Sequence, residues 1–484
     1  MVKNTKKTTF EPPWPKPTPY TSNIFRRLAR GWKSWLSLLN EWDFRISLGE
    51  LNLFGLPVFL VNQPTLVRKI LVEEVEEFPK HAYTLWILEP LIGRAIFSVN
   101  GEEWEIQRRL IDQAFQIANL KRVFPSMVEA TQALLHRLES KKNDDYIDID
   151  EEMTLVTADV IVRTILSRPL EQNEASEIFQ AFSRYQKRAG RALVLRFLRL
   201  PKGLIQRSLK RDAAIIRDWI QCSIHERLNQ HKLNRPNSSN PKDLLDMLIL
   251  AKDPKTNKVF SEEDLVDQVC FLFLAGHETS ASSLGLSAWL LALDPKVQER
   301  TRNEVLLAVG ERSASEMLES EEIRQLPYVE AVFNETLRLY PPVSFFIREK
   351  TQNHTELQTS EGAKKCPVGA LLTLSPWVIH RHEKHWREPH HFQPERFIGS
   401  DEVCWRRDAF LPFGMGPRKC PGASFAKQEA VLVLAEILRR YELIPNSEHQ
   451  LDFVGLLTLR SRNGIRLKIK PLEHNAKPSS KTSI

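Results

Sequence analysis

The chain is short of cysteine. Among 484 residues there are five, Cys222, Cys270, Cys366, Cys404 and Cys420, an odd number with no C-x-x-C pair. That argues against a disulfide framework and against a Cys-rich structural zinc site, and it favours a reducing compartment. Glycine is also scarce at 18, too few for an all-β chain of tight turns. No apolar run approaches the 18 or more residues of a membrane span; Val269–Gly276 is among the longest. The start, Met1–Tyr20, is polar, Pro-rich and Lys-rich and lacks the apolar core of a signal peptide. Charge of one sign is lacking too. Lys+Arg is 68 against Asp+Glu 61, and a net +7 is too small to mark a nucleic-acid binder. The expectation is a cytoplasmic protein, with at most peripheral contact at a membrane surface.

What is present is ordinary globular composition, 42% hydrophobic and 27% charged, which excludes wholesale disorder. No internal repeat or Gly/Ser linker divides the middle. The reading is a disordered arm over 1–22, one domain over 23–470 and a flexible tail over 471–484. Pro12, Pro13, Pro15, Pro17 and Pro19 carry the arm reading, because each fixes φ and removes a donor. Residues 23–40 space Phe25, Leu28, Trp32, Trp35 and Leu39 along one helical stripe with cations elsewhere, which suits a packed helix or a membrane-surface helix. Leu51–Phe54 and Pro57–Val61 flank Gly55 as a small hairpin. Most of 64–340 is helical in pattern, so the fold class is mainly α with small β-sheets. Ile178–Arg211 holds ten Lys/Arg and no Asp or Glu, a solvated face or a place for anionic lipid or an acidic substrate group.

The clearest helix runs from a Ser261 cap to Leu293, stopped by Asp294-Pro295. Its middle is apolar all round, yet carries Gly276, His277, Glu278, Thr279 and Ser280. Polar groups at the centre of a buried helix are costly unless used or satisfied. A second concentration of chemistry is Phe413-Gly414-Met415-Gly416-Pro417-Arg418-Lys419-Cys420-Pro421-Gly422. Glycines let the backbone turn tightly around the sulfur, and a following helix puts Cys420 near an N-terminus, where a thiolate is favoured.

This segment resembles the cytochrome P450 haem signature F-G-x-G-x-R-x-C-x-G. Six fixed positions arise by chance in a chain this long with a probability of only about 10⁻⁵. Further motifs follow the family's order: Trp104 and Arg108 as W-x-x-x-R, Ala275–Thr279 as the oxygen-binding stretch, Glu335 and Arg338 as E-x-x-R, and Pro394–Phe397 as P-x-R-F. The resemblance covers about 45–470 and suggests a soluble, bacterial-type chain with motifs of the lipid-oxidising branches.

The resemblance implies haem b between the central helix and the Cys loop, with Cys420 as the iron's thiolate ligand and Phe413 shielding the sulfur. Trp104, Arg108, Arg348 and Arg418 would hold the propionates; Arg109, which the family pattern does not claim, reads as a surface charge. Glu335, Arg338 and Arg396 would form a structural charge network. Glu278 and Thr279 would relay protons, with Gly276 leaving room for dioxygen. The pocket would be lined by Tyr83, Leu85, Trp86 and Leu88, by Phe271, Leu274 and Ala275, by Val343, Ser344, Phe345 and Phe346, and by Leu456 and Leu457. The implied activity is monooxygenation of a hydrophobic substrate: a fatty acid, an alkane-like chain or a terpenoid. The alternative is a peroxygenase or hydroperoxide isomerase. Electrons would come from a separate ferredoxin, flavodoxin or reductase, docking near Lys419 and Lys427.

Overall fold

A computed structural model describes residues 10–20, 24–53, 55–197, 201–233, 241–310, 313, 316–399 and 408–472. Helices dominate, and the sheets are small. One sheet of four strands takes the order Leu48–Leu53, Leu56–Val61, Leu371–Leu374, Phe346–Glu349. The first two strands are the expected hairpin, paired antiparallel from Leu48↔Val61 to Leu53↔Leu56. A second apolar cluster under this sheet, including Phe59, Val61, Phe78 and Trp386, is separate from the large helical core.

The central helix, Glu262–Leu293, organises the rest. Ser261 and Asp264 form a reciprocal capping box at its start. It packs most closely on the helix Ile149–Leu166. Its mid-helix hydroxyls are satisfied inside the protein: Ser282 Oγ donates to the Leu459 carbonyl at 2.5 Å and Ser283 Oγ to the Thr279 carbonyl at 2.8 Å.

Three expectations change at the ends of the chain. Residues 10–20 are not a loose arm. Phe392 N donates to the Phe10 carbonyl at 2.9 Å, Tyr340 Oη to the Pro13 carbonyl at 2.7 Å, and Trp14 stacks on His390 at 4.6 Å. The prolines hold this strap extended, which suits surface packing as well as disorder. Residues 1–9 and 21–23 lie outside the described part. The stripe over 23–40 is not one helix: Ile24–Gly31 is helical, then Trp35–Leu38 forms a separate 3₁₀ turn. Ser34 breaks the run, its hydroxyl accepting from Gly455 N at 3.0 Å. At the other end a strand runs through Arg466–Pro471, and Leu472 N donates to the Arg440 carbonyl. The rest of the expected tail, 473–484, lies outside the described residues.

Candidate active site

The Cys420 loop is closed by its own backbone, with Cys420 N donating to the Phe413 carbonyl at 2.9 Å. Gly416 sits at φ +72° against the Leu71 carbonyl, where any Cβ would collide. Arg108 ties the loop from outside, donating to the Lys419 carbonyl at 2.5 Å while pairing with Asp112 at 2.8 Å. The helix Ala423–Leu438 begins three residues beyond the cysteine. Burial pushes the Cys420 thiol up, although the side chain keeps some solvent access; the Gly422 amide, Arg108 and Lys419 pull the other way without winning.

Beside this loop, cations crowd together with little to neutralise them. The Arg418 guanidinium lies 5.3 Å from the Trp104 ring and donates to the Phe78 carbonyl at 3.2 Å. Arg348 bridges by backbone to Lys80. The Nε atoms of both Arg348 and Arg418 are buried without a hydrogen-bond partner. Burial and then Arg418 bring Arg348 down to about 9; burial, Arg418 and Arg348 bring Lys80 down to about 6. Glu76 acts on Arg418 from nearby. Such a cluster calls for anions. Lys80 carries no sequence motif, and only its bridge to Arg348 reveals it.

Glu335, Arg338 and Arg396 meet in one buried charge cluster. Arg338 grips Glu335 through two bonds, Nε–Oε2 at 2.6 Å and Nη2–Oε1 at 2.8 Å. Arg396 Nε reaches Glu335 Oε1 at 3.2 Å. The other donors of Arg338 go to the carbonyls of His380, Pro389 and His391. His380, which sequence reasoning missed, joins this network to the Cys loop. Its Nδ1 pairs with the Arg338 carbonyl at 3.2 Å, and its Nε2 accepts from Leu411 N at 2.8 Å. Burial first, then Arg338 and Arg381, holds His380 down at about 3. Burial leads likewise at His382 and His390, both at about 4.

These neutral rings give a pH dependence. The unfolded value is 6.5, so their contribution is complete above it and is lost as pH falls from 6.5 toward 3 or 4. The urea midpoint should therefore fall between about pH 7.5 and about pH 5.5, a window in which ordinary carboxylates do not titrate. A flat midpoint across that window would contradict the buried neutral rings.

The central helix separates the two residues expected to act together. Glu278 is held by Arg460, with Nη2–Oε2 at 2.8 Å and Nε–Oε1 at 2.9 Å, and it also accepts from Thr458 Oγ1 at 2.8 Å. Burial opposes its charge, but Arg460 overrides that and holds the carboxyl at about 2. Asp150 shares the same arginine at 2.8 Å. Glu278 is thus a fixed anion in an ion-pair cluster and holds no proton to give near neutral pH. Thr279 Oγ1 donates back to the Ala275 carbonyl at 2.7 Å. Consecutive helix residues point about 100° apart, which is why the pair does not meet. The room at Gly276 is taken by Ile161, with which any Cβ would collide. Its small size serves close helix packing.

Along Leu265–Ala292, only Phe271, Leu274, Ala275, Gly276 and Thr279 escape full burial. That spacing is one face of the helix. Thr279 lies at the edge of the face that carries the three expected pocket residues, and Glu278 falls within that face by spacing but is buried against Arg460. Leu456 and Leu457 are half-buried in the late turn, and Leu456 packs against Gly190. Leu85, Val343 and Phe345 are half-buried as well. Other expected lining residues do something else. Trp86 and Leu88 belong to the buried helical core, Phe346 packs on the sheet cluster, and the carbonyl of buried Ser344 is held by Ser375 Oγ at 3.0 Å. The Tyr83 side chain lies outside the described part.

Three cations of the basic stretch have partners. Arg184 and Arg188 both pair with buried Asp212, and Arg191 covers the Trp32 ring at 5.8 Å. Arg109 is not a free surface charge, because it anchors fully buried Asp253 at 2.6 Å. Lys427 pairs with Glu330 at 2.6 Å.

The cytochrome P450 family pattern matches residues 12–468. The chain belongs to the cytochrome P450 family. Among curated relatives, probable cytochrome P450 4s3 of Drosophila melanogaster is 30% identical over 416 residues, 80% of this chain and 79% of that one. Cytokinin hydroxylase of Arabidopsis thaliana is 30% identical over 393 residues, 79% and 73% of the two chains. Cytochrome P450 4V2 of Homo sapiens is 27% identical over 400 residues, 79% and 75%. Among solved structures, the cytochrome P450DA heme domain superposes with a TM-score of 0.76 at 23% identity, covering 88% of this chain and 90% of that one, which shows a shared fold. The chain is therefore a P450 monooxygenase, a haem–thiolate oxidoreductase that uses dioxygen, a substrate and a redox partner. The residues present fit the cofactor. The unpartnered arginine donors beside Trp104 match the two propionates, and the glycine-shaped loop presents a single cysteine. No helix among the described residues is long and apolar enough to cross a membrane.

Proposed function

We propose that this P450 hydroxylates or epoxidises a hydrophobic substrate of the fatty-acid, alkane-like or terpenoid kind, using haem b and electrons from a separate donor protein. The half-exposed stripe Phe271, Leu274, Ala275 and Thr279 on an otherwise buried helix carries the reading. Three apolar positions and one hydroxyl suit a substrate held by burial and oriented by shape. Bound haem supplies dioxygen activation and oxygen transfer. Cys420 holds the iron, and Arg348 and Arg418 hold the propionates beside Trp104. Thr279 moves a proton at Oγ1 once its bond to Ala275 is exchanged for one to water. Lys419, exposed beside the ligand, suits an acidic ferredoxin or flavodoxin. Exposed Trp32 and Trp42 beside the N-terminal cations suit peripheral contact with a membrane surface.

The pairing of Glu278 with Arg460 favours a second reading, in which peroxide is the oxidant and no proton relay is needed. One experiment separates the two. Purified protein is given lauric acid with a plant-type ferredoxin, its reductase and dioxygen, or with hydrogen peroxide alone, and products are read by mass spectrometry. Product from the reductant route, with Thr279→Ala consuming reductant but losing product, supports monooxygenation. Product from peroxide alone, unchanged in Thr279→Ala, supports the peroxygenase.

A further inference from the structure

The face of the central helix that carries half-buried Phe271, Leu274 and Ala275 does not stay open along its length. By helical spacing it continues through Glu278, Ser282 and Gly285, and there a late hairpin lies on it. The strands Phe453–Gly455 and Leu459–Ser461 pair antiparallel, and residues 456–458 turn between them. Arg460 and Thr458 bond to Glu278, the Leu459 carbonyl accepts from Ser282 Oγ at 2.5 Å, and Ile465 packs against Gly285. Thr458 meets the face at Glu278, about one turn after Ala275. Leu456 and Leu457, half-buried in that turn, therefore stand where the covered part of the face gives way to the open part.

One side chain ties this turn to two helices at once. Thr458 Oγ1 donates to Glu278 Oε1 at 2.8 Å and accepts from Gln186 Nε2, on the helix Gln172–Phe197, at 3.3 Å. The backbone adds a third tie, Leu459 N donating to the Pro342 carbonyl at 2.9 Å beside Val343. Leu456 packs against Gly190, whose missing side chain leaves it room. Glu278 is itself held still. Arg460 bonds to both its oxygens and also reaches Asp150 at 2.8 Å and Thr154 at 3.1 Å. A hydroxyl that donates to a fixed carboxylate and accepts from an amide is held in one orientation, and the turn with it. We propose that the Thr458 hydroxyl is a specificity-determining clamp, which fixes Leu456 and Leu457 as a wall of the substrate pocket and so sets how long an apolar chain fits. Glu278 is the anchor of that clamp. This deepens the reading of the half-buried stripe as the substrate face and rests on it. Thr458 acts through the two leucines and is a positioning residue.

The holoenzyme tests this with a series of N-alkylimidazoles from butyl to dodecyl. The ring nitrogen binds haem iron, the tail probes the pocket, and the Soret shift reads each affinity. Wild type should bind more tightly as the tail lengthens, up to a limit, and then lose affinity. Thr458→Val removes the hydroxyl and keeps the shape. It should change the ratio of affinities for the longest and shortest tails by about tenfold, the scale of one lost hydrogen bond to a charged group. Its carbon monoxide spectrum should stay that of the wild type, while amide exchange over residues 456–459 quickens. Thr458→Ser, which keeps the hydroxyl, should restore the wild-type ratio. Gln186→Leu cuts only the second tie and should shift the ratio the same way by less. A wild type indifferent to tail length overturns the proposal, and so does a Thr458→Val variant with either the wild-type ratio or wild-type exchange. If Thr458→Val does not hold haem, Gln186→Leu decides, and a wild-type ratio there overturns the clamp. Lauric acid tests the underlying reading separately. No product from wild type by either oxidant sinks the fatty-acid reading and leaves the tail-length result standing, whereas product with an unmoved ratio sinks only the clamp.

Discussion

Replacing Cys420 by Ser should abolish the strongly red-shifted Soret band of the reduced carbon monoxide complex, and reductant-driven turnover should fall to background. The loop around the residue does not depend on the sulfur. Its closing bond is backbone, from Cys420 N to the Phe413 carbonyl, and its shape is fixed by Gly416 against Leu71 and by Arg108 on the Lys419 carbonyl. The variant should therefore keep its helical content and unfold near the wild-type denaturant concentration, while losing the ligand that pushes electron density onto the iron. The carbon monoxide spectrum and a urea melt on the same sample check both halves. A red-shifted band that survives in the serine variant would mean that Cys420 is not the ligand.

Arg338→Ala should fail differently, in folding and haem retention. The side chain makes two bonds to Glu335 and reaches three carbonyls, and both partners of the pair are fully buried. Removing it leaves Glu335 with Arg396 and the Gln393 amide. Breaking a buried pair by deleting one member costs roughly 3–5 kcal/mol, a large share of a protein's total stability. The three freed carbonyls, on the segment His380–His391, add to that. His380 carries the damage onward, since it links the Arg338 carbonyl to Leu411 at the start of the Cys loop. The expected result is low yield, a lowered unfolding midpoint and little haem per polypeptide. Arg338→Lys should rescue little, because an ammonium cannot serve the two Glu335 oxygens and three carbonyls from one plane. Normal haem content in Arg338→Ala would show that the network does not support the loop.

What was legible in the sequence was local. Cys420 is recognisable because its glycines and arginine lie within ten residues, and the backbone conformation they permit is a short-range property. Glu335 and Arg338 are three apart on one helix, so their pairing follows from helix geometry. Arg396 came only through the family pattern, and the structure brings it to the same carboxylate. The half-buried stripe Phe271, Leu274, Ala275 and Thr279 has helical period, and that period is written in the chain.

Charge states depended on partners far away in sequence. Glu278 reads as a free acid beside an alcohol until Arg460, 182 residues on, closes over it. Arg184 and Arg188 read as an unneutralised patch until Asp212 folds back from the next helix. Arg109 reads as surface until Asp253 meets it. Glu429 has no motif, and only the fold shows that it is buried with both oxygens unpartnered.

The sequence by itself therefore determined the family, the candidate ligand cysteine, the ion pair within the E-x-x-R helix and the helix that crosses the core, because each rests on spacing along the chain. The tertiary structure alone decided which acids are charged and which arginines are spent, and whether the Pro-rich strap is packed. Those depend on which groups meet through space and how much water is left between them, and spacing along the chain encodes neither.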